Sequence, residues 1–410
     1  MNKISHPSKR VIGKISVPGS KSETNRLLIL KHLYNLPFSI ENKAQSRDTD
    51  YLQKALQEPQ APEWYVGDAG TAMRFLTAYA ACRPGQEVQL TGTARMYERP
   101  IGVLVSALRQ MGAQIEYLRK EGFPPLRIRG SALQCNQPVA IDTAVSSQFI
   151  TALMLIGGTL KDGLELQFKG LSVSAPYVYL TARLMRQLGF AVRLMGNGLR
   201  VETYKPAPVP QKLTVEPDWS AASYWFLMAL LAQKTEIYLP GFRQHSLQGD
   251  SYVAQLFDPL GVTAHFIGSG FRLKQSARQQ DSFAINLLHN PDLAQTMAVA
   301  YAAQNVPARI TGLQTLRIKE TDRLQALQTE LAKTGAVVEI GKDYLEIKEG
   351  IKTTVGVRFH TYQDHRMAMA LAPLALLGSI YIDDLKVVAK SYRNFWEHLK
   401  QVGFTVRSVS

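Results

Sequence analysis

Residues 310–340 read ITGLQTLRIKETDRLQALQTELAKTGAVVEI. A short β-prone segment leads through Gly312 into a polar loop. An amphipathic helical pattern follows, and Gly335 closes it before a second β-prone segment. The same order recurs in LTGTARMYERPIGVLVSALRQMGAQIEYL (90–118), FKGLSVSAPYVYLTARLMRQLGFAVRLM (168–195) and LPGFRQHSLQGDSYVAQLFDPLGVTAHFI (239–267). A fifth copy, IDDLKVVAKSYRNFWEHLKQVGFTVRSV (382–409), ends the chain, and a degraded sixth lies in FSIENKAQSRDTDYLQKAL (38–56). Two glycines roughly twenty residues apart bracket the polar loop and helix, a period in the range of supersecondary repeats. The second glycine is a natural helix C-cap.

Between the copies lies a second kind of helix. Its six examples are PGSKSETNRLLILKH (18–32), GDAGTAMRFLTAYAAC (67–82), AVSSQFITALMLIGG (144–158), PDWSAASYWFLMALLA (217–232), NPDLAQTMAVAYAAQ (290–304) and TYQDHRMAMALAPLALLG (361–378). Each opens with polar or small residues and then turns apolar on nearly every side, which places it inside a core. Each is shorter than the ~20 apolar residues of a membrane span. The chain therefore reads as six units of strands, one core helix and one amphipathic helix. This is an α/β fold with three units per domain and a boundary near the proline-rich KPAPVPQKLTVEP (205–217).

The 410 residues are 46% hydrophobic and 20% charged, as in ordinary globular proteins. The N-terminus MNKISHPSKR has no apolar signal region, and the two cysteines, Cys82 and Cys135, are expected to stay reduced in the cytoplasm. The net charge of +14 points to anionic partners. No dense Lys/Arg block or RNP-like motif supports nucleic acid as that partner. The sequence also lacks a P-loop, HExxH, GxSxG and any metal-ligand spacing.

The cations gather at the starts of the core helices, where unpaired N–H groups and the helix dipole already favour anions. These starts carry Lys21, Ser22 and Arg26; Gly70, Thr71 and Arg74; Ser146, Ser147 and Gln148; Asp364, His365 and Arg366. Each has a plain reading: Ser146 and Ser147 as an N-cap, Lys21 as a solvated turn lysine, His365 and Arg366 as a surface pair. Repeated at four starts in a basic protein, the pattern points to a site for a strongly anionic ligand. The repeat loops add Glu98-Arg99-Pro100, Lys319-Glu320-Thr321-Asp322-Arg323 and Lys390. Lys319 and Arg323, four apart, are expected on one helical face. Glu320 with Arg323 reads either as a surface ion pair or as an acid placed among substrate-binding cations. Asp292, in HNPDLAQTM, reads on its own as a helix N-cap.

Taken together, PGSKSETNR, GDAGTAMR, RMYERPIG, SSQF, KGLSVSAPY, NPDLAQTMA, RIKETDRL and TYQDHRMAMA resemble, in order and nearly end to end, the enolpyruvyl transferase family. The sibling branch acting on UDP-N-acetylglucosamine usually carries a catalytic Cys loop, and no Cys occurs in the corresponding region, within RMYERPIG or just before it, which favours the shikimate branch. The resemblance implies two inside-out barrels, 20–216 and 1–19 plus 217–410, built of βαβαββ-like repeats, with the site in a cleft between them. It implies transfer of the enolpyruvyl group of phosphoenolpyruvate to the 5-hydroxyl of shikimate-3-phosphate, with release of phosphate. No metal or organic cofactor is implied, and the expected protein is a cytoplasmic monomer that binds neither nucleic acid nor membrane.

By the same resemblance, Lys21, Ser22, Arg26, Ser146, Ser147, Gln148, Ser174, Tyr177, Asp292 and Lys319 contact shikimate-3-phosphate. Lys21, Gly70, Thr71, Arg99, Gln148, Arg323, Arg366 and Lys390 form the phosphoenolpyruvate clamp. Asp292 matches the base for the 5-hydroxyl, and Glu320, with Lys21, the acid that protonates the methylene carbon. His365 supports Glu320. Gly70 with the SSQ motif implies the glyphosate-sensitive class. Two positions depart from the family: Asp68 stands where Asn is usual, and so does Thr315. An ionised Asp68 must point away from a bound phosphate, pair with a cation or be protonated. Two other readings stay open: the sibling transferase, and an inactive phosphate- or RNA-binding relative.

Overall fold

A computed structural model of the chain describes residues 1–142, 146–170 and 175–409. The chain divides into two compact units, Gly19–Val215 (the inserted unit) and Met1–Pro18 with Glu216–Ser410 (the split unit). The inserted unit carries α1 (Lys21–Leu33), α2 (Arg47–Gln57), α3 (Gly70–Ala81), α4 (Gly102–Gln110), α5 (Ser147–Gly157) and α6 (Ala175–Gln187). The split unit carries α7 (Trp219–Leu231), α8 (Val253–Phe257), α9 (Ala294–Ala303), α10 (Arg323–Ala332), α11 (His365–Leu371) and α12 (Phe395–Gln401). The odd-numbered helices are the six core helices of the sequence pattern. Every residue of α9 and α11 but Ala303 is buried, and in α5 only Gln148 is not. The even-numbered helices are amphipathic and one-sided: α4 buries Leu104, Val105, Ala107 and Leu108.

The strands repeat one pattern. In the sheet of Glu63–Tyr65, Glu87–Thr91, Leu126–Arg129 and Gln114–Tyr117, the first two strands are parallel and the remaining pairs antiparallel. Helix α3 makes the parallel crossover and α4 the next connection, giving the order βαβαββ. Phe283–Asn286, Ala308–Thr311, Leu345–Glu349 and Val337–Ile340 follow the same order around α9 and α10. In the sheet that receives the chain's last strand, the position third in line is filled by the N-terminal strand Asn2–Ser5. Among the described residues there are four-stranded sheets of this kind in both units and one two-stranded parallel pair, Ser39–Glu41 with Lys212–Thr214. The degraded sixth repeat corresponds to that shorter sheet.

Caps fix where the elements begin and end. Ser20, Ser46, Ser146, Asp218, Asp322 and Asp364 each accept a backbone N–H at the start of α1, α2, α5, α7, α10 and α11. Gly112 and Gly335, just past α4 and α10, sit at φ 93° and 82°, a left-handed conformation open to glycine at little cost. The split unit's core is built around Trp219, Trp225, Phe226, Phe271 and Tyr392. Each such aromatic, fully buried, contributes on the order of 2–3 kcal/mol. Among the described residues no helix is long and apolar enough to cross a membrane.

Candidate active site

In the inserted unit the start of α1 is wired into its neighbours. Lys21 Nζ lies 2.9 Å from Asp48 Oδ2, on the first turn of α2, and Asp48 is nearly fully buried. One turn on, Arg26 donates to Thr181 Oγ1 (2.8 Å), Thr151 Oγ1 (3.2 Å), the Ser22 carbonyl (2.8 Å) and the Tyr177 carbonyl (3.4 Å). Its guanidinium also lies over the Phe75 ring. Arg26 therefore ties α1 to α3, α5 and α6. Burial pulls its pKa down to about 10, with Tyr177 and Glu23 acting the other way. The guanidinium still stays charged at neutral pH.

The start of α3 gathers a second set. Arg74 Nη1 donates to the Gly70 carbonyl (3.1 Å), and Arg99 Nη1 to the Asp68 carbonyl (3.0 Å). A Cβ at Gly70 would stand 2.6 Å from Arg99 Nη2 and 2.8 Å from Arg74 Nη1, so a larger residue there would push the guanidinium ends back from this helix start. Gln148 Nε2 reaches Thr71 Oγ1 at 3.2 Å and joins α5 to α3. Ser146 caps α5, and Ser147 is buried behind it. Asp68 takes the second of the alternatives open to it, pairing with Arg47 at 3.7 Å. Ser174 lies outside the described residues.

The split unit holds a denser charge cluster. Arg323, nearly fully buried, meets three carboxylates: Asp364 (2.7 Å), Glu320 (2.9 Å) and Asp292 (3.2 Å). Burial works against the Arg323 cation, but Asp364, Glu320 and Asp292 outweigh it and raise its pKa above the usual arginine value. Lys390, fully buried, lies 3.2 Å from the other oxygen of Glu320. Arg366 grips Asp292 at 2.8 Å through the carboxylate and at 3.1 Å through the backbone carbonyl. Burial favours a neutral Asp292, yet Arg366, Lys319 and Arg323 together hold its carboxyl below the usual range. His365 is buried one residue from Asp364, with Nδ1 3.6 Å from Asp364 Oδ1.

Three sequence expectations change here. Helix α10 begins at Arg323, capped by Asp322, so Lys319 precedes the helix and does not share a face with Arg323. The Glu320–Arg323 pair is buried, which removes the surface-pair reading. Asp292 sits in the 3-10 turn Pro291–Leu293 ahead of α9, and neither element has a side-chain N-cap; its carboxylate is spent on the two arginines. Thr24, on the first turn of α1, is buried and accepts the Ala44 N–H. Thr315 Oγ1 is buried and has no hydrogen-bond partner among the described residues.

Sequence reasoning missed Asp48 and Asp250. Asp48 stands in SRDTD of the degraded repeat, where the polar loop was recognisable but its partner Lys21 was not. Asp250 follows the third repeat loop in SLQGD, and no motif marks it. Their partners are distant in sequence, and only the fold brings them together.

The model of the EPSP synthase (3-phosphoshikimate 1-carboxyvinyltransferase) family matches residues 53–399. A 3-phosphoshikimate 1-carboxyvinyltransferase of Bacteroides fragilis is 43% identical over 408 residues, covering 98% of each chain. One from Shewanella halifaxensis is 36% identical, over 95% of this chain and 96% of its own. Among solved structures, EPSP synthase from Acinetobacter baumannii superposes with a TM-score of 0.74 over the whole of both chains at 21% identity. The enolpyruvyl transferase NikO from Streptomyces tendae gives 0.76 at 16% identity, over 99% of this chain and 98% of its own. At those identities the two structures bear on the fold, while the family match and the sequence relatives bear on kinship. The chain belongs to the EPSP synthase (3-phosphoshikimate 1-carboxyvinyltransferase) family.

Proposed function

We propose that the two clusters carry out transfer of the enolpyruvyl group of phosphoenolpyruvate to the 5-hydroxyl of shikimate-3-phosphate, and that Glu320, Asp292 and Lys21 handle the protons. The observation that carries this reading is Glu320, an acid lodged 2.9 Å from Arg323 and 3.2 Å from Lys390. We read each unit as an inside-out barrel of three βαβαββ repeats. In this reading Lys21, Ser22, Arg26, Ser146, Ser147, Gln148, Ser174 and Tyr177, with Asp292 and Lys319, contact shikimate-3-phosphate. Gly70, Thr71, Arg99 and Gln148, and Arg323, Arg366 and Lys390 in the split unit, take phosphoenolpyruvate.

The ion pairs suggest how the acids are armed. The carboxylates pair with the cations, and Asp292 held by Arg366 is a poor base because Arg366 stabilises its charge. Anionic substrate groups compete for Arg323, Arg366 and Lys390. As they take over those cations, Glu320 loses the charges that favour its ionised form and becomes a proton donor, while Asp292 becomes more basic. Glu320 then gives a proton to the methylene carbon, which becomes a methyl group and leaves C2 cationic. The 5-hydroxyl passes its proton to Asp292, and its oxygen bonds to C2. Breakdown of this tetrahedral ketal phosphate returns a proton from the methyl group to the Glu320 carboxylate, restores the double bond and breaks the C2–O bond to phosphate. Lys21 and the arginines stabilise the developing charge.

A phosphate-release assay tests the reading. Release is expected with shikimate-3-phosphate and phosphoenolpyruvate, and none with UDP-N-acetylglucosamine in place of the shikimate. Glyphosate is expected to raise the apparent KM for phosphoenolpyruvate. Release with the nucleotide sugar alone would assign the chain to the sibling activity. Salt-sensitive oligonucleotide binding without any phosphate release would leave only a binding protein.

A further inference from the structure

Behind the Arg366–Asp292 pair stands a carboxylate that the reaction does not use. Asp250 lies in the 3-10 turn Gly249–Tyr252 and is buried. Ser220, at the start of α7, donates its hydroxyl to one Asp250 oxygen. The same Ser220 oxygen accepts Arg366 Nη2 at 3.4 Å. The other Asp250 oxygen accepts Asn290 Nδ2 at 3.4 Å. Asn290 opens the turn that carries Asp292, and its carbonyl accepts the Leu293 N–H at 3.0 Å. One buried carboxylate thus reaches both ends of a substrate-site ion pair, the guanidinium through Ser220 and the carboxylate's turn through Asn290.

We propose that Asp250 is a positioning residue for the known reaction: by anchoring Ser220 and Asn290 it sets the direction of the Arg366 guanidinium and the place of Asp292. The inference rests on Arg366 serving the phosphoenolpyruvate clamp. Arg366 also contacts Tyr224 Oη at 3.5 Å through Nη1, so Tyr224 on one nitrogen and Ser220 on the other flank the fork that Asp292 grips. The cost of holding a carboxylate here is visible. Burial, with Asp292 close by, pushes Asp250 up to about 6, although Ser220 and Arg366 favour its ionised form and Asp218 opposes it. A group that costs this much to bury fits a role in holding its neighbours.

The test is steady-state phosphate release with each substrate varied in turn, on wild type, Asp250→Ala, Asp250→Asn, Ser220→Ala and the Ser220→Ala/Asp250→Ala double variant. Thermal melts establish that each is folded. Asp250→Ala and Ser220→Ala are expected to raise KM for phosphoenolpyruvate about tenfold, the loss of roughly one oriented hydrogen bond. KM for shikimate-3-phosphate, which Asp292 serves, should rise less, by about threefold. Asp250→Asn keeps an acceptor for Ser220 and should recover most of that affinity, and the double variant should be no worse than the worse single. If Asp250→Ala does not fold, Ser220→Ala against Asp250→Asn carries the same contrast. Equal shifts in both KM values, an additive double variant, or no recovery with Asn would overturn the role of Asp250. Absence of turnover in wild type itself would instead overturn the functional reading, and the proposal with it.

Discussion

Glu320→Gln is expected to keep both substrates bound and to lower turnover by about a thousandfold, within the usual contribution of a positioned general acid. Gln has nearly the shape of Glu and retains one oxygen, which can accept from either Arg323 or Lys390, the cations that lie 2.9 and 3.2 Å from the two Glu320 oxygens. It cannot deliver a proton to carbon. Substrate contacts should therefore survive while protonation of the methylene carbon fails. Calorimetric titration of shikimate-3-phosphate and then phosphoenolpyruvate would show the retained binding, and phosphate release the lost turnover. Turnover within a few fold of wild type would remove Glu320 from the mechanism. Loss of binding with turnover lost in proportion would make it a ligand contact only.

Arg323→Met is expected to destabilise the split unit by about 3–5 kcal/mol, the usual effect of removing one partner from a buried ion pair. Its side chain is 2% exposed and that of Asp364, which it holds at 2.7 Å, is fully buried. Methionine fills most of the volume but leaves the Asp364 carboxylate, and Glu320 and Asp292 beside it, without their shared cation. The additional substitution Asp364→Leu should restore part of the loss, because it removes the carboxylate that the first change strands. Urea unfolding followed by tryptophan fluorescence reads this well, since Trp219, Trp225 and Trp396 lie in the split unit and only Trp64 in the inserted one. Equal midpoints for wild type and Arg323→Met would contradict the account, as would a double variant weaker than the single.

The architecture was legible because it repeats. Six apolar helices and their amphipathic partners could be read from hydrophobic pattern, and both kinds stand in the fold in strict alternation. The glycines closing the copies pointed to helix ends, and Gly112 and Gly335 have the left-handed conformation that such ends use. Motifs with local order also carried through: Lys21, Gly70, Ser146 and Arg366 all lie at the helix starts expected of them. What stayed hidden depends on pairs far apart in sequence. Nothing local distinguishes the Asp48 that meets Lys21, or the Asp250 that meets Ser220 and Asn290, from other loop aspartates. Local spacing also misled. The four-residue interval from Lys319 to Arg323 suggested one helical face, but Asp322 prefers to cap, and the helix starts one residue after it.

The most direct test of the central claim, proton transfer to carbon with reversal, is deuterium exchange into phosphoenolpyruvate in heavy water. With shikimate-3-phosphate present, wild type is predicted to place deuterium on the methylene carbon of phosphoenolpyruvate recovered before completion, because the methyl group of the intermediate can return any of its hydrogens. Glu320→Gln should show almost none. Full turnover by wild type with no deuterium on the methylene carbon of either recovered phosphoenolpyruvate or product would contradict the mechanism.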